Sequence, residues 1–414
     1  MGAFATPLSG LTAAQDLLQT ISNNLANMNT DGYKDQGLTF GDIFSQASTT
    51  NGSGDPIQTG YGVKVSSTDS NFTDGTPTAT GIDSNMALSG NGFFVTQGAN
   101  GLPDFTRSGD FTTNNAGQLI TPSGELLLGY PAVNGVVNAS GALQPLNVGK
   151  GLTSPPVAST TIGITANLNS DTAVGGTATA SSLTVYDSLG SKHTLSVSYI
   201  KTGANTWTYS VTVPSADITG GTGATTVVGS GTLNFNNSGA LTSTSTVVPI
   251  SIPTLADGAK SPLALTGPFG TVTNPTITQT ATDSGTSATT TDGFASGTLS
   301  SYTIEPDGTI NGSFSSGKTL ALGQVAVASF ANNQGLASVG NNNYQATAGS
   351  GAAVIGTAGT GGRGTITGDS VEQSNVNIAT EFSKLITAQQ AYGANAKSIT
   401  TLQQLSQAAL AMIQ

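Results

Sequence analysis

The two ends of the chain have the apolar spacing of α-helices, whereas the long stretch between them has the spacing of β-strands. Thr6 and Pro7 suit the N-cap and first position of a helix, and residues 29–32 (NTDG) suit its end. The apolar stripe between them comprises Leu11, Ala14, Leu18, Ile21, Leu25 and Met28. A second stripe comprises Ile378, Phe382, Leu385, Tyr392, Ala396, Ile399, Leu402, Ala409, Leu410 and Ile413. This coiled-coil-like period predicts one helix at each end.

The other faces of both predicted helices carry mostly Gln, Asn, Ser and Thr instead of Lys and Glu. Each helix is too short to be stable alone, and Gly393 weakens the second. Packing on a globular core would account for two amphipathic helices, but the shortage of solvating charges favours packing against copies of the same chain. The candidate self-assembly interface consists of Leu11, Leu18, Ile21, Leu25, Met28, Ile378, Phe382, Leu385, Tyr392, Ile399, Leu402 and Leu410.

Between the helices, short runs of alternating apolar and polar residues end at Gly-rich turns. Residues 183–186 and 194–200, for example, predict a hairpin joined by the turn 187–192. The order of these patterns predicts nested domains. They are a terminal helical domain (1–30 with 370–414), an extended connection (31–70), an inner β domain (71–147 with 290–365) and an inserted outer β domain (148–289). We expect a mainly β fold with terminal α-helices, its discontinuous domains arranged radially around an inner, coiled-coil-like layer of helices.

The composition excludes several classes of protein. Only 8% of the 414 residues are charged, against roughly 25% in a typical soluble domain. One His and no Cys exclude disulfide scaffolds, zinc fingers, thiol enzymes and sites with several histidines. A net charge of −11 argues against nucleic-acid partners, and no apolar run reaches the length of a membrane span. The first basic residue is Lys34, so we expect any export to proceed without a cleaved signal peptide.

Two glycine-containing segments match nucleotide-binding motifs in their residues but not in the secondary structure expected around them. Residues 312–319 (GSFSSGKT) fit the Walker A sequence, but a strand-like run follows where a phosphate-binding loop needs a helix. Gly359, Gly361 and Gly364 fit GxGxxG, and no helix opens after them either. Both segments are therefore predicted to be β-turns.

No catalytic, cofactor or metal-binding residue is predicted, and the chain is not expected to be an enzyme. His193 follows a turn and precedes an alternating strand, so a hairpin position is favoured over a general base. The four Glu residues, Glu125, Glu305, Glu372 and Glu381, are scattered and form no carboxylate motif.

Several segments resemble one family. They are residues 22–34 (SNNLANMNTDGYK), 89–94 (SGNGFF), 105–111 (FTRSGDF) and 389–399 (QQAYGANAKSI). Their sequences and their order resemble those of the axial proteins of the bacterial flagellum, which include rod and hook subunits. Residues 185–190 (VYDSLG) and 356–361 (GTAGTG) resemble the hook members in particular. Gly393 departs from this pattern, because relatives usually have a larger residue there.

The resemblance implies a structural subunit that assembles helically with copies of itself into a curved, hollow tube, a flexible joint transmitting motor torque. Its implied partners are the distal rod protein, the hook cap, the hook–filament junction proteins and the flagellar export apparatus, with no nucleic acid and no membrane. The implied location is extracellular, in the flagellum, and no cofactor is implied. A distal rod or other axial protein remains an alternative, and a secreted β-rich adhesin or carbohydrate-active protein is a more distant one.

Overall fold

The structure, a computed structural model, describes residues 2–44, 49–50, 56–57, 60–98, 100–244, 250–271 and 273–412. Over these residues the fold is mainly β, with helix α1 (Gly2–Ala26) at one end and helix α2 (Ile378–Ala411) at the other. The predicted mainly β fold with terminal helices is confirmed. The chain forms two compact units. Unit 1 is Met1–Gly149, Tyr302–Gly312 and Leu320–Gln414, and unit 2 is Lys150–Ser301 and Ser313–Thr319.

The ends of α1 differ from the prediction. The helix begins at Gly2, before the predicted N-cap Thr6, and Pro7 lies inside it. Pro7 is the sixth helical residue, so its missing N–H removes one backbone hydrogen bond near the start of the helix. At the other end Met28 lies beyond the last helical residue, Ala26. The Asn27 side chain donates to the Asn23 carbonyl, a local bond of the type that competes with helix continuation.

Strands alternate with turns between the helices. Those before the insertion are β1 (Gln36–Phe44), β2 (Thr49–Thr50), β3 (Pro56–Ile57), β4 (Gly60–Ser70), β5 (Pro77–Ala79), β6 (Met86–Ser89), β7 (Phe93–Gln97), β8 (Pro103–Thr106), β9 (Thr112–Thr113), β10 (Leu119–Ile120), β11 (Leu126–Val133), β12 (Val136–Val137) and β13 (Gln144–Pro145). The next are β14 (Thr153–Ser154), β15 (Ile162–Asn169), β16 (Thr177–Tyr186), β17 (Lys192–Gly203), β18 (Thr206–Pro214), β19 (Thr225–Phe235), β20 (Leu241–Thr244), β21 (Ile250–Ile252), β22 (Leu263–Leu265), β23 (Gly270–Thr271), β24 (Asn274–Pro275), β25 (Ile277–Thr280) and β26 (Gly285–Thr291). The last are β27 (Gly297–Ile304), β28 (Thr309–Phe314), β29 (Thr319–Ser329), β30 (Ala337–Gly340), β31 (Asn343–Gln345), β32 (Val354–Thr357), β33 (Thr365–Gly368) and β34 (Ser370–Glu372).

Unit 1 is built around an antiparallel sheet in which β29, β11, β7, β8, β31 and β30 are successive neighbours. Adjacent side chains of a strand point to opposite faces, so Phe93 and Phe94 of β7 enter two separate apolar clusters. Both faces of the sheet are therefore covered. Residues 31–70, expected from the sequence to form an extended connection, contain the antiparallel pair β1–β4, and β4 lies against α1, where the Val63 N–H donates to the Ser9 hydroxyl at 3.2 Å.

Unit 2 contains the antiparallel sheet β16-β17-β18-β19-β20 and the smaller sheet β25-β15-β26. Buried residues alternate with mostly exposed residues along β17 and with half-buried residues along β18, so one face of the sheet is more deeply buried than the other. The predicted hairpin is confirmed, with Leu183 opposite Leu195. Trp207 is fully buried, and its indole N–H donates to Gln279 Oε1 at 2.8 Å, which joins the two sheets.

Both segments that match nucleotide-binding motifs form turns, as predicted. Residues 312–319 include the tight turn between β28 and β29, where the Phe314 N–H donates to the Lys318 carbonyl at 2.9 Å. Residues 359–364 connect β32 to β33, and the Gly359 N–H donates to the Gly364 carbonyl at 2.8 Å. Gly359 and Gly361 have φ values of 71° and 57°, which glycine adopts without strain.

Candidate assembly interface

Helices α1 and α2 pack side by side in opposite directions. Asn24 of α1 donates to Glu381 of α2, and a Cβ on Gly10 would lie 2.8 Å from Asn395 Oδ1. The two contacts are separated by the same number of residues on each helix, from 24 back to 10 in α1 and from 381 to 395 in α2. The two helices are therefore antiparallel and advance at the same rate. Continued at the same rise, this pairing places Gly2 opposite about residue 403. The last two turns or so of α2 therefore extend past the start of α1.

The predicted interface residues of α1 are mostly turned toward their own chain. Ile21 is 1% exposed, and Leu11, Leu18 and Leu25 are half-buried. Met28 is half-buried in the turn after the helix. Ile21 differs from the other residues of this set, because its side chain is buried within its own chain and leaves almost no surface for a contact with another copy. Sequence periodicity finds the apolar stripe of a helix but not the surface that covers it.

Helix α2 leaves more of its predicted residues open. Leu385, Ile399 and Leu402 are half-buried. The exposed members are Ile378, Phe382, Tyr392 and Leu410. The structure adds exposed apolar residues that the stripe omitted, namely Phe4, Leu8, Ile386, Leu405 and Met412. Their apolar character was visible in the sequence, but Phe4 precedes the predicted start of the first helix, and the other four were not assigned to either stripe.

The overhanging end of α2, defined here as residues 404–412, is the most exposed apolar part of the helix pair. Leu405 is 62% exposed and Leu410 is 64% exposed. No charged side chain occurs in this segment, in which the remaining residues are Ser, Gln, Ala and Met. A helix end of this composition has neither an intrachain partner from α1 nor charges to solvate it.

A buried polar cluster ties α1 to α2 at the opposite end of the pair. Asn24 is fully buried, and its amide donates to Asp35 Oδ1 at 2.6 Å and Glu381 Oε2 at 3.1 Å. Asn24 Oδ1 accepts from the Tyr33 hydroxyl, and burial raises the pKa of Tyr33 to about 12. Lys384 completes the cluster at 2.6 Å from Glu381. The polar groups are mutually satisfied, so this cluster fixes the register of the two helices.

A second buried cluster joins the same region to the β sheet. Glu372 Oε1 accepts from Lys34 Nζ at 2.6 Å and from the Gly75 N–H at 2.7 Å, and Glu372 Oε2 lies 3.3 Å from Arg107 Nη1. Arg107 also lies 3.4 Å from Asp74. Burial lowers the pKa of Lys34, and Glu372 opposes that effect. Lys34 and Arg107 are 338 and 265 positions from Glu372, so the local sequence does not reveal that these charges pair, although charged residues are scarce in this chain.

Of the helices in the described part of the chain, neither α1 nor α2 meets the length and hydropathy needed to cross a membrane.

Protein-family models match the chain in four segments. Residues 4–34 match the flagella basal body rod protein family, and residues 368–412 match the C-terminal region of the flagellar basal body rod FlgEFG proteins. Residues 87–169 match the D1 domain of flagellar hook protein FlgE/F/G, and residues 158–294 match the FlaE D2 domain of flagellar basal body proteins. The fold and these matches together define the class, an axial protein of the bacterial flagellum.

Relatives that align over nearly their full length identify the particular family within this class. The chain is 36% identical to flagellar hook protein FlgE of Escherichia coli strain K12, over 97% of this chain and 98% of the relative. It is 35% identical to FlgE of Salmonella typhimurium and 32% identical to FlgE of Treponema pallidum, each alignment covering 97% of this chain. The chain belongs to the flagellar hook protein FlgE family, and its function is that of a hook subunit in the flagellum. These alignments include the insert, which favours a hook protein over the rod protein considered from the sequence.

A solved structure supports the fold. The crystal structure of Helicobacter pylori flagellar hook protein FlgE2 superposes with a TM-score of 0.51, covering 70% of this chain and 98% of that one. The sequence identity is 16%, so this likeness concerns the fold alone.

Proposed function

We propose that copies of this chain assemble helically through their terminal helices into a curved, hollow tube that acts as a flexible joint between rod and filament and transmits motor torque. The observation that carries the proposal is the apolar surface left open on α2, which is largest in the overhanging end. Exposed apolar patches of this kind mark protein–protein interaction sites. Membership of the hook family supports assembly into a flagellar structure.

The proposed interface keeps the predicted residues with one amendment. Ile378, Phe382, Tyr392 and Leu410 of α2 are open to a neighbouring copy. The half-buried residues would contribute to the interface only the exposed part of their side chains. They are Leu11, Leu18, Leu25, Met28, Leu385, Ile399 and Leu402. Ile21 instead stabilises α1 within the chain. Each subunit thus brings a preformed helix pair, and another copy covers its outer face.

The four predicted domains are proposed to be concentric layers of the tube. In this arrangement residues 1–30 with 370–414 line the central channel, 31–70 connect outward, 71–147 with 290–365 form the inner β layer, and 148–289 face outward. The separate family matches to the two ends, to 87–169 and to 158–294 support such a division. A stiff apolar inner layer would carry torque, while charge-poor Gly, Ser and Thr surfaces would exchange weak contacts as the tube bends.

The chain is proposed to act without catalysis. Its named relatives are hook proteins, and its single His is engaged by Asp187 and Asp217. The proposed partners beyond further copies are the distal rod protein, the hook cap and the hook–filament junction proteins. Passage through the flagellar export apparatus, without cleavage of a signal peptide, would deliver the subunit to the outside of the cell.

The overhanging end provides a direct test. In the double variant Leu405→Gln/Leu410→Gln, helix propensity is nearly unchanged but the exposed apolar surface is lost. We expect this variant to remain monomeric in sedimentation velocity runs under conditions where the unaltered chain polymerises. Its unfolding curve should match that of the parent chain, since neither leucine is buried in the monomer.

The matched control is Leu102→Gln/Leu189→Gln. These two leucines are exposed to a similar degree, 57% and 59%, but lie outside the terminal helices. The control should polymerise as the parent does. Polymerisation of the α2 variant to the same extent as the control would refute the proposed interface.

A further inference from the structure

The only histidine of the chain lies among carboxylates in unit 2. His193 is the second residue of β17, and its side chain is 6% exposed. Its Nδ1 lies 3.1 Å from Asp217 Oδ2, and its Nε2 lies 3.1 Å from Asp187 Oδ2. Both ring nitrogens therefore face a carboxylate oxygen at hydrogen-bonding distance.

Asp187 presents one oxygen to this cluster and uses the other for its own turn. Its Oδ1 accepts from the Leu189 and Ser191 N–H groups at 2.8 and 2.9 Å. The carboxyl group of Asp257, which is exposed, lies nearby. One ligand atom each from Asp187, His193 and Asp257 lie within 4.8 Å of one another.

The imidazole and two carboxylates converge on one place. A neutral imidazole has only one N–H. When that N–H is at Nδ1 and is donated to Asp217, the Nε2 lone pair faces Asp187 Oδ2 at 3.1 Å. The Asp257 carboxylate lies within 4.8 Å of both ligand atoms. A single divalent ion can bind all three groups at once.

We propose that His193 Nε2, Asp187 Oδ2 and the Asp257 carboxylate bind a divalent transition-metal ion, with Zn²⁺ as the best fit. One imidazole and two carboxylates are a donor set that suits Zn²⁺ better than Ca²⁺ or Mg²⁺, which prefer oxygen alone. Three protein ligands leave a coordination position for water. Exposed Asp257 provides the path by which the ion enters.

Asp217 is a positioning residue for this site. By accepting the Nδ1–H it selects the tautomer whose Nε2 lone pair faces Asp187 and Asp257, an arrangement that metal-binding histidines commonly use. The segments that carry these residues are already in contact, since the Ala256 N–H donates to the Asp217 carbonyl at 3.0 Å. A bound ion would therefore crosslink the 187–191 turn, the start of β17 and the loop around Asp257, which already contacts the 215–217 segment.

Titration calorimetry on the full chain, purified without a histidine tag, tests the site with ZnCl₂ alone. We expect one Zn²⁺ per chain and weaker binding of Ca²⁺ and Mg²⁺. Asp217→Ala should lower the Zn²⁺ affinity about 10- to 100-fold. His193→Gln and Asp257→Asn should lower it at least as much. Zn²⁺ should also raise the unfolding temperature of unit 2, followed by the fluorescence of Trp207, the single tryptophan.

The control variant is Asp283→Asn, which removes an exposed negative charge elsewhere in unit 2. It should bind Zn²⁺ as the parent chain does. Because Asp257 is exposed, Asp257→Asn is informative even if His193→Gln does not fold. Absence of stoichiometric binding to the parent chain would overturn the site. Binding that Asp257→Asn leaves unchanged would also overturn it, because the ion would then be an adventitious one held by other carboxylates.

Discussion

A few buried charges determine how the two ends of this sequence meet. Lys34 and Glu372 are almost completely buried and are 2.6 Å apart. Taking a charge out of water is expensive, so such a pair contributes little net stability, but the loss of one partner leaves an uncompensated buried charge. Arg107 adds a second cation beside the same carboxylate. The cluster therefore acts as a specific connection between the segments that follow α1 and precede α2.

Glu372→Gln should destabilise unit 1 by about 3–5 kcal/mol, the usual cost of breaking a buried ion pair. The amide retains one acceptor oxygen but turns an N–H₂ group toward Lys34 or Arg107. Urea denaturation followed by far-UV circular dichroism measures the effect. Glu305→Gln, at an exposed glutamate, is the control and should change little. Equal stability of the two variants would show that the buried pair does not hold the ends together.

Asp292 should make unit 2 sensitive to acid. Burial alone would raise its pKa, but hydrogen bonds from the Thr160 hydroxyl and the Thr160 and Thr161 N–H groups lower the pKa to about 2. Because the folded-state pKa is below the unfolded value of 3.8, the stabilisation is complete above pH 4 and is lost as the pH falls toward 2. Since Asp292 is exposed, we expect solvent screening to limit the contribution to ~1 kcal/mol.

Urea denaturation followed by Trp207 fluorescence tests this pH dependence. The parent chain should be more stable than Asp292→Asn at neutral pH, and the difference should shrink as the pH falls from 4 to 2, the range set by the two pKa values. Asp283→Asn again provides an exposed control. A difference that stays constant down to pH 2 would contradict the assignment of the low pKa to Asp292.

At the scale of an element, Gly393 is the weak point of α2. A Cβ there would meet no atom within 4 Å, so alanine fits without strain. Gly393→Ala should stabilise the helix by about 1 kcal/mol, the difference in helix propensity between the two residues. Far-UV circular dichroism during urea denaturation measures it. Gly10→Ala is the comparison, because its Cβ would lie 2.8 Å from Asn395 Oδ1. A gain at Gly10 as large as that at Gly393 would contradict the close helix packing described above.

The periodicity of apolar residues predicted the helices and strands well, because an element that is buried on one side has regularly spaced apolar residues in its local sequence. The alternation along residues 194–200 identified β17, and the three-and-four spacing identified both helices. The ends of α1 were predicted less well. Pro7 suits the first helical position, yet Gly2–Ala26 forms one continuous helix around it. Met28 continues the stripe, but the Asn27 side chain bonds favour a turn.

Long-range partners were beyond what local sequence reveals. Lys34 and Glu372 are 338 positions apart, and nothing near either residue specifies the other. His193 was correctly placed beside a hairpin turn, whereas Asp217 and Asp257 reach it only through the packing of other loops. For the same reason, the burial of Ile21 depends on a surface that the spacing of α1 does not encode. The apolar stripe was therefore predictable, but its division into covered and open residues was not.

At the scale of the whole molecule, the low fraction of charged residues fits a surface used largely for contacts between copies. The net charge of −11 nevertheless makes neighbouring subunits repel one another. We expect the purified chain to polymerise more readily as NaCl is raised from about 0.01 to 0.5 M, because the screening length falls several-fold over that range. Sedimentation velocity at several salt concentrations measures this. Polymerisation that weakens steadily with added NaCl would mean that attractive ion pairs, instead of apolar contacts, hold the assembly.

Electron microscopy of the salt-assembled chain tests the central claim most directly, namely that the open apolar faces of the terminal helices drive assembly into a curved tube. The parent chain and the Leu102→Gln/Leu189→Gln control should form curved, hollow tubes. The Leu405→Gln/Leu410→Gln variant should form none at the same protein and salt concentrations. Straight rods or persistent monomers from the parent chain, or normal tubes from the α2 variant, would contradict the account.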